Sequence, residues 1–357
     1  MLKIDDGVCT LKMSVIIRGL PNTGYTCYLN SILQILSNTP ELRSMAGGRS
    51  SNPDTRANTI CDAYENWLRV HLSGSSSSDR ANAAALKKFI VSFTSYYGTF
   101  GSGMQDQYEY LLLLLKIFHD SRSVRRDFSH EPDHTGLQKK ASENLHKDGM
   151  WVSFYTANPK HVYAWDSVVF RTFTGQFHRQ TICKISSCGY ISHRFETFRI
   201  LDLDIPETQM KKKQTLTLQD CVLWTFRETQ LDKDDSYECD QCHKKSRCVR
   251  KTSIWMCPKV LVICLKRFIV RYLPDRRVSL DKNQTDISIP LNMDLSDTKY
   301  ELYGIANHTG NQRGGHCFAT LKKPGGKWVT VDDTSISVAN DTAFGGSTPY
   351  LLFYRTI

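Results

Sequence analysis

Apolar side chains at Leu29, Ile32, Leu33 and Leu36 recur at the spacing of one helical stripe, and Pro40 ends the run. The pattern predicts an amphipathic helix that begins near residue 27. From 41 to 120 the period stays mostly helical, with a Ser/Gly linker at 73–79 and a renewed apolar repeat over 81–93. Residues 1–15 read as a short lead-in, and 121–163, polar and without period, as a long variable connection. After 165 the character changes. Alternating or continuous apolar runs over 168–204 and 246–270 predict strands, interrupted by one helical stretch near 217–227. Further strands are expected up to His308 and after His316, with a hairpin around Pro324, Gly325 and Gly326. There is no internal repeat. A helix-rich half followed by a strand-rich half makes an α+β arrangement, with a cleft expected between them.

A chain of 357 residues with 40% hydrophobic content can bury a substantial core. Its formal charge of +10 leaves nucleic acid open as a partner until the distribution is considered. The basic residues are dispersed, and the densest run, Lys211–Lys213, reads as a solvated loop, so no nucleic-acid partner is expected. The leucines at 111–115 fall far short of the roughly 20 residues a bilayer span requires. No membrane association is expected. Twelve cysteines without a secretory leader point to free thiols, metal ligation or catalysis in a reducing cytoplasmic or nuclear setting.

Cys27 is the thiol whose place in the pattern suggests chemistry. At the first turn of a helix it feels the positive end of the dipole, which favours the thiolate, although a buried core thiol would fit the same pattern. Gly19, Pro21 and Gly24 shape a turn before it, and Asn22 on that turn can donate an amide hydrogen bond near the thiol. A nucleophilic thiol needs a base. His316 follows Gly314 and Gly315, and a strand ending at Val331 would deliver Asp332 and Asp333 one hairpin away. A carboxylate on the imidazole's second nitrogen fixes its tautomer, a role that falls to Asp332 with Asp333 as a secondary acid; a half-buried strand histidine and a solvated acidic pair are the alternatives. Cys239 and Cys242 have the two-residue separation that lets both sulfurs reach one tetrahedral zinc, and Cys183 and Cys188 are their candidate partners.

Four segments in order resemble the ubiquitin-specific proteases. GLPNTGYTCYLNSILQ at 19–34 is similar to that family's cysteine box, QDQYEYLLLLL at 105–115 to its acidic helix, LVICLKRF at 261–268 to a strand motif, and residues 300–354 to its histidine box. The last includes His308-Thr-Gly, Gly-Gly-His316, Trp328, Asp332-Asp333 and a closing YLLFY. The resemblance covers residues 16–357 and implies a papain-like fold. Its helical thumb would lie at about 16–120, with β fingers and palm at about 164–357. It implies Cys27 as nucleophile, His316 as base, Asp332 as orienting acid and Asn22 as oxyanion donor. It also implies that Asp106, Glu109, His308, Gly314, Gly315 and Tyr354 contact the C-terminal tail of ubiquitin or a related modifier. No catalytic cofactor is implied. A structural zinc at the fingertips is, although Cys183 and Cys188 have four residues between them where the family has two. The expected protein is a monomeric thiol-dependent deubiquitinase, with another modifier's protease or a weakly active binding scaffold as alternatives. Three positions depart from the pattern: Met104 in the acidic helix motif, Tyr25 before the nucleophile, and Cys317 where an aromatic residue usually follows the histidine.

Overall fold

The computed structural model describes residues 17–43, 45, 55–73, 78–101, 103–127, 163–206, 215–231, 236–272, 278–311, 314–339 and 344–357. The lead-in, most of the 121–163 connection, the middle of the 73–79 linker and Lys211–Lys213 lie outside them.

Helices Cys27–Ser37, Thr55–Leu72, Ser78–Thr94 and Gln107–Arg122 form the first layer. They share an apolar core in which Tyr64 packs on Phe118 with ring centroids 4.5 Å apart. Against this layer lies an eight-stranded sheet. Its order is Ser335–Val338, Trp328–Asp332, Gly315–Lys322, Thr298–Gly310, Pro349–Thr356, Val260–Leu265 and Leu201–Leu203, with Asn292–Leu295 also paired to the Thr298–Gly310 strand. Within this sheet only the pairing of Val260–Leu265 with Leu201–Leu203 is parallel. Val260, Val262 and Cys264 face the helical core, while Leu261, Ile263 and Leu265 enter a second core on the far side. Burial on both faces explains why that strand is continuously apolar rather than alternating.

The first helix departs from the expected amphipathic pattern. All eleven residues of Cys27–Ser37 are buried, so it is a central helix wedged between the other helices and the sheet. Its polar side chains are bonded rather than solvated. Asn30 Nδ2 donates to Asp333 Oδ1 at 2.8 Å, Gln34 Nε2 to Arg18 O at 2.5 Å, and Ser31 Oγ accepts from Gln107 Nε2 at 2.6 Å. Periodicity of apolar residues alone could not show this, because an Asn, Ser or Gln that makes a hydrogen bond can be buried as fully as Leu.

A second sheet carries strands Ile191–Phe198, Gly175–Cys183, Cys248–Met256 and Thr229–Leu231 in that order. The run beginning at 168 is helical at first, over Val168–Phe173, where strand was expected. Ser167 caps that helix, its Oγ accepting from Phe170 N at 3.0 Å. The later helix runs Leu218–Thr225, started by a capping box between Thr217 and Asp220. Among the described residues no helix is long and apolar enough to cross a membrane.

Candidate active site

The loop before Cys27 is fastened to the hairpin that carries Asp332 and Asp333. A Cβ on Gly19 would lie 2.4 Å from Thr334 O, so only glycine permits this approach. Leu20 N donates to Asp333 O at 2.8 Å. Asn22 Oδ1 accepts from Gly24 N at 3.0 Å and Thr26 N at 3.2 Å, which closes the turn before the helix. Within the turn Gly24 has φ 102° and Tyr25 φ 56°; Tyr25 thus occupies the left-handed region that asparagine and glycine tolerate better. Its ring is exposed.

Cys27 opens its helix with 5% of its surface exposed. Its thiol pKa falls to about 6, chiefly because the Cys317 thiol hydrogen-bonds to it, with further help from the Cys317 backbone amide and the charge on His316. Burial and the Asp333 carboxylate oppose that fall. His316 Nε2 meets Asp332 Oδ1 at 2.5 Å, which leaves Nδ1 as its free ring nitrogen for Cys27. Burial lowers the imidazole's pKa, but the bond to Asp332, its charge and the Cys27 thiolate outweigh burial and hold it above the ordinary histidine value. The two shifts run in the directions that favour a thiolate beside an imidazolium, the forms a nucleophile and a proton donor require.

The pH dependence follows from these two directions. For attack by a Cys27 thiolate with His316 as proton donor, kcat/KM is expected to rise as pH increases through about 6 and to fall again above the raised histidine pKa. Replacing Cys317 with Ala removes the largest cause of the thiol's depression and moves the acid limb upward. The pH dependence of Cys27 alkylation by iodoacetamide reads this directly; an unmoved midpoint contradicts it.

The charge of Asp333 also helps to raise the imidazole's pKa, and both of its carboxylate oxygens are bonded on the other side of the site. Its Oδ2 accepts from Asn22 Nδ2 at 2.9 Å and its Oδ1 from Asn30 Nδ2 at 2.8 Å, so it ties the nucleophile's loop and helix to the hairpin. The Asn22 amide nitrogen has two hydrogens, and the one not given to Asp333 is free to serve an oxyanion. Replacing Asp333 with Ala should lower kcat/KM on the order of 10- to 100-fold by loosening that alignment. Loss of activity no greater than that of a surface substitution would contradict the tethering role.

The expected tail-binding residues separate into distinct environments. Tyr354 lies in the second core, its hydroxyl bonded to Pro290 O at 2.7 Å, on the opposite face of the sheet from Cys27. Strand alternation excludes it from a channel at the thiol. Tyr350, four residues earlier, is on the helical side and packs edge-on against Phe268 at 5.2 Å. Asp106 is the N-cap of Gln107–Arg122 and not a residue within that helix: Oδ1 accepts from Tyr108 N and Glu109 N, while Oδ2 accepts from Tyr350 OH at 2.9 Å. Glu109 remains exposed. His308 is buried beside Phe268 with ring centroids 5.2 Å apart. Burial, Lys282 and His316 lower its pKa to about 4, so it is neutral at physiological pH. A Cβ on Gly315 would lie 2.4 Å from His308 Nε2, whereas one on Gly314 would meet open space. Only Gly315 is demanded by packing. Tyr350, Phe268 and the Cys317 contact were missed by sequence reasoning, although Tyr350 opens YLLFY and Phe268 closes LVICLKRF.

At the end of the second sheet, the sulfurs of Cys183, Cys188, Cys239 and Cys242 lie within 4.8 Å of one another. The long Cys183–Cys188 spacing is absorbed by a turn in which Ile185 O accepts from Cys188 N and Gly189 N, with Gly189 at φ 59°. Cys188 and Cys239 sulfurs stand 3.7 Å apart, close to the roughly 3.8 Å edge of a tetrahedron with zinc–sulfur bonds of about 2.3 Å. Four such thiols can hold a structural metal.

A thiol at a helix start, an imidazole and a carboxylate in sequence form the arrangement of a cysteine hydrolase. The chain belongs to the ubiquitin carboxyl-terminal hydrolase family, whose description matches residues 18–354. It is 32% identical over 356 residues to ubiquitin carboxyl-terminal hydrolase 2 of Bos taurus, covering 94% of this chain and 54% of that protein. Identity to ubiquitin carboxyl-terminal hydrolase 21 of Bos taurus is 28% over 367 residues, covering 94% of this chain and 61% of that one. The chain thus spans little more than half the length of these relatives. Its fold is similar to a chain of the SAGA DUB module Ubp8/Sgf11/Sus1/Sgf73 bound to monoubiquitin. The TM-score is 0.72 at 21% identity, over 98% of this chain and 71% of that one. A ubiquitin-specific protease fold is therefore established, and it is α+β as expected.

Proposed function

We propose that this chain is a thiol-dependent deubiquitinase that cleaves the amide bond after ubiquitin's C-terminal glycine. The observation that carries the reading is the His316–Asp332 bond beside a Cys27 thiol whose pKa is lowered to about 6. The thiolate of Cys27 attacks the glycine carbonyl, and His316 gives its proton to the departing lysine ε-amine or α-amine. Water activated by the same imidazole then hydrolyses the thioester and restores the thiol. The second Asn22 amide hydrogen and the Cys27 backbone amide stabilise the oxyanion, donors of a kind worth about 10²- to 10³-fold each. Exposed Glu109 pairs with the arginines of the ubiquitin tail. Related folds have been solved with monoubiquitin and with ubiquitin aldehyde, which supports ubiquitin as the partner. The working unit is a monomer of the cytoplasm or nucleus. Turnover of a fluorogenic ubiquitin amide tests the reading. Cleavage of another modifier's amide in its place reassigns the modifier, and ubiquitin binding without turnover contradicts the enzyme.

Zinc is the metal this four-thiolate set suits, and bound there it crosslinks the strand ends around Cys183 and Cys242. Purified protein should contain about one zinc per chain, and its melting temperature should fall with a chelator or with Cys242→Ser. Zinc-free protein with a melt indifferent to chelator contradicts this assignment.

A further inference from the structure

Cys317 neither attacks substrate nor carries a proton in the proposed hydrolysis, yet it follows the base in sequence and is the largest cause of the lowered Cys27 pKa. Cys27 and Cys317 share the helical core, 5% and 2% exposed. The strand Gly315–Lys322 packs on the helix Cys27–Ser37, so Cys317 near the start of the strand faces the helix that Cys27 opens, and each thiol is the largest influence on the other's pKa. The register fixes the strand side of this contact: Thr309 pairs with His316 and His308 with Cys317. Both thiols are free.

We propose that Cys317 is a resolving thiol for Cys27, closing a reversible disulfide across the active site when a peroxide oxidises the nucleophile. In the first step the Cys27 thiolate attacks the peroxide, the O–O bond breaks, and Cys27 becomes a sulfenic acid while the oxidant leaves as hydroxide or alkoxide. In the second, Cys317 sulfur attacks the sulfenic sulfur, an S–S bond forms, and the hydroxyl departs with the Cys317 proton as water. The two thiols are oxidised by two electrons and the peroxide is reduced by two.

The chemistry of each site suits its role. A thiolate is the species that reacts with peroxide, and Cys27 is the one whose thiol pKa is depressed, whereas Cys317 is held protonated first by its bond to Cys27 and then by burial. Oxidation removes the negative charge of Cys27 and with it the largest restraint on the Cys317 proton. Lys282 lies on the side that favours a Cys317 thiolate and Asp106 on the side that opposes it. The other helical-core cysteines, Cys61 and Cys264, are buried with raised thiol pKa values and are poor first targets. The consequence is protective: a sulfenic acid caught as a disulfide cannot advance to the irreversible sulfinic acid.

This inference rests on Cys27 as the reactive thiol but not on ubiquitin cleavage, and its test reads sulfur chemistry alone. The full chain is treated with hydrogen peroxide and examined by non-reducing intact mass and peptide mapping. The expected result is loss of two hydrogens, a Cys27–Cys317 linked peptide and full return of both thiols with dithiothreitol. In Cys317→Ser the link is absent, and Cys27 gains two oxygens that dithiothreitol does not remove. Sulfinic acid at Cys27 in the wild-type chain at the rate seen in Cys317→Ser overturns the proposal. So does a Cys27 disulfide to any other cysteine. If Cys317→Ser does not fold, the linked peptide in the wild-type chain still decides the matter.

Discussion

Cys27→Ala should abolish turnover of a fluorogenic ubiquitin amide while leaving the fold and ubiquitin binding in place. The expected loss is at least on the order of 10⁴-fold, because the thiolate forms the covalent bond to the carbonyl and no other group can replace it. His316 would retain Asp332 but lose its sulfur partner, and what survives is the contribution of binding and of oxyanion donors. Alanine costs little in stability at this position. Cys27 packs at the edge of the helical core beside Cys317, and the main restraints on its loop run through Asn22, Asn30 and Asp333. A Cys27→Ala variant that kept as much as a tenth of the activity would remove Cys27 from the mechanism.

The largest effect on stability is expected at Arg267. It is 0% exposed, and its guanidinium donates to four backbone oxygens: Pro349 at 2.7 Å, Asn283 at 3.1 Å, Thr285 at 2.9 Å and Gly346 at 3.0 Å. Burial lowers its pKa to about 10, so it remains charged at neutral pH. Arg267→Ala leaves these carbonyls without their donor and opens a cavity, a combined cost of about 3–5 kcal/mol. Arg267→Lys should recover only part of this, since an ammonium has no planar fork to bridge separated segments. The effect should also reach the site, because one of those segments leads into Pro349 and Tyr350, whose hydroxyl meets Asp106. Urea unfolding of the two variants checks the order, and a melt for Arg267→Ala indistinguishable from the parent contradicts it.

Much of this site is legible in the order of residues alone. Cys27 at a helix start follows from apolar period and turn chemistry, and the hairpin after His316 delivers Asp332 within bonding distance of the imidazole. What the residues could not reveal was direction. YLLFY is uniformly apolar, so nothing in it distinguishes Tyr350 on the helical face from Tyr354 in the opposite core. Asp106 and Glu109 are three apart, the spacing of one helical face, but the helix begins at Gln107, which turns Asp106 into its cap. Asp333 reads as a second acid because it neighbours Asp332; nothing local shows that its carboxylate, at a left-handed φ of 49°, also bonds Asn22 and Asn30. Contacts between residues nearly 300 positions apart, such as Cys27 with Cys317, depend on the packing of helix on sheet and leave no local pattern.

The central claim is that Cys27, activated by His316 and Asp332, is the nucleophile toward the C-terminus of ubiquitin. Ubiquitin bearing a C-terminal electrophile tests it most directly, with the adduct located by peptide mapping. The expected result is a stoichiometric covalent adduct on Cys27 that is absent from Cys27→Ala. A folded, reduced sample that forms no adduct, or forms it on another cysteine, would contradict it.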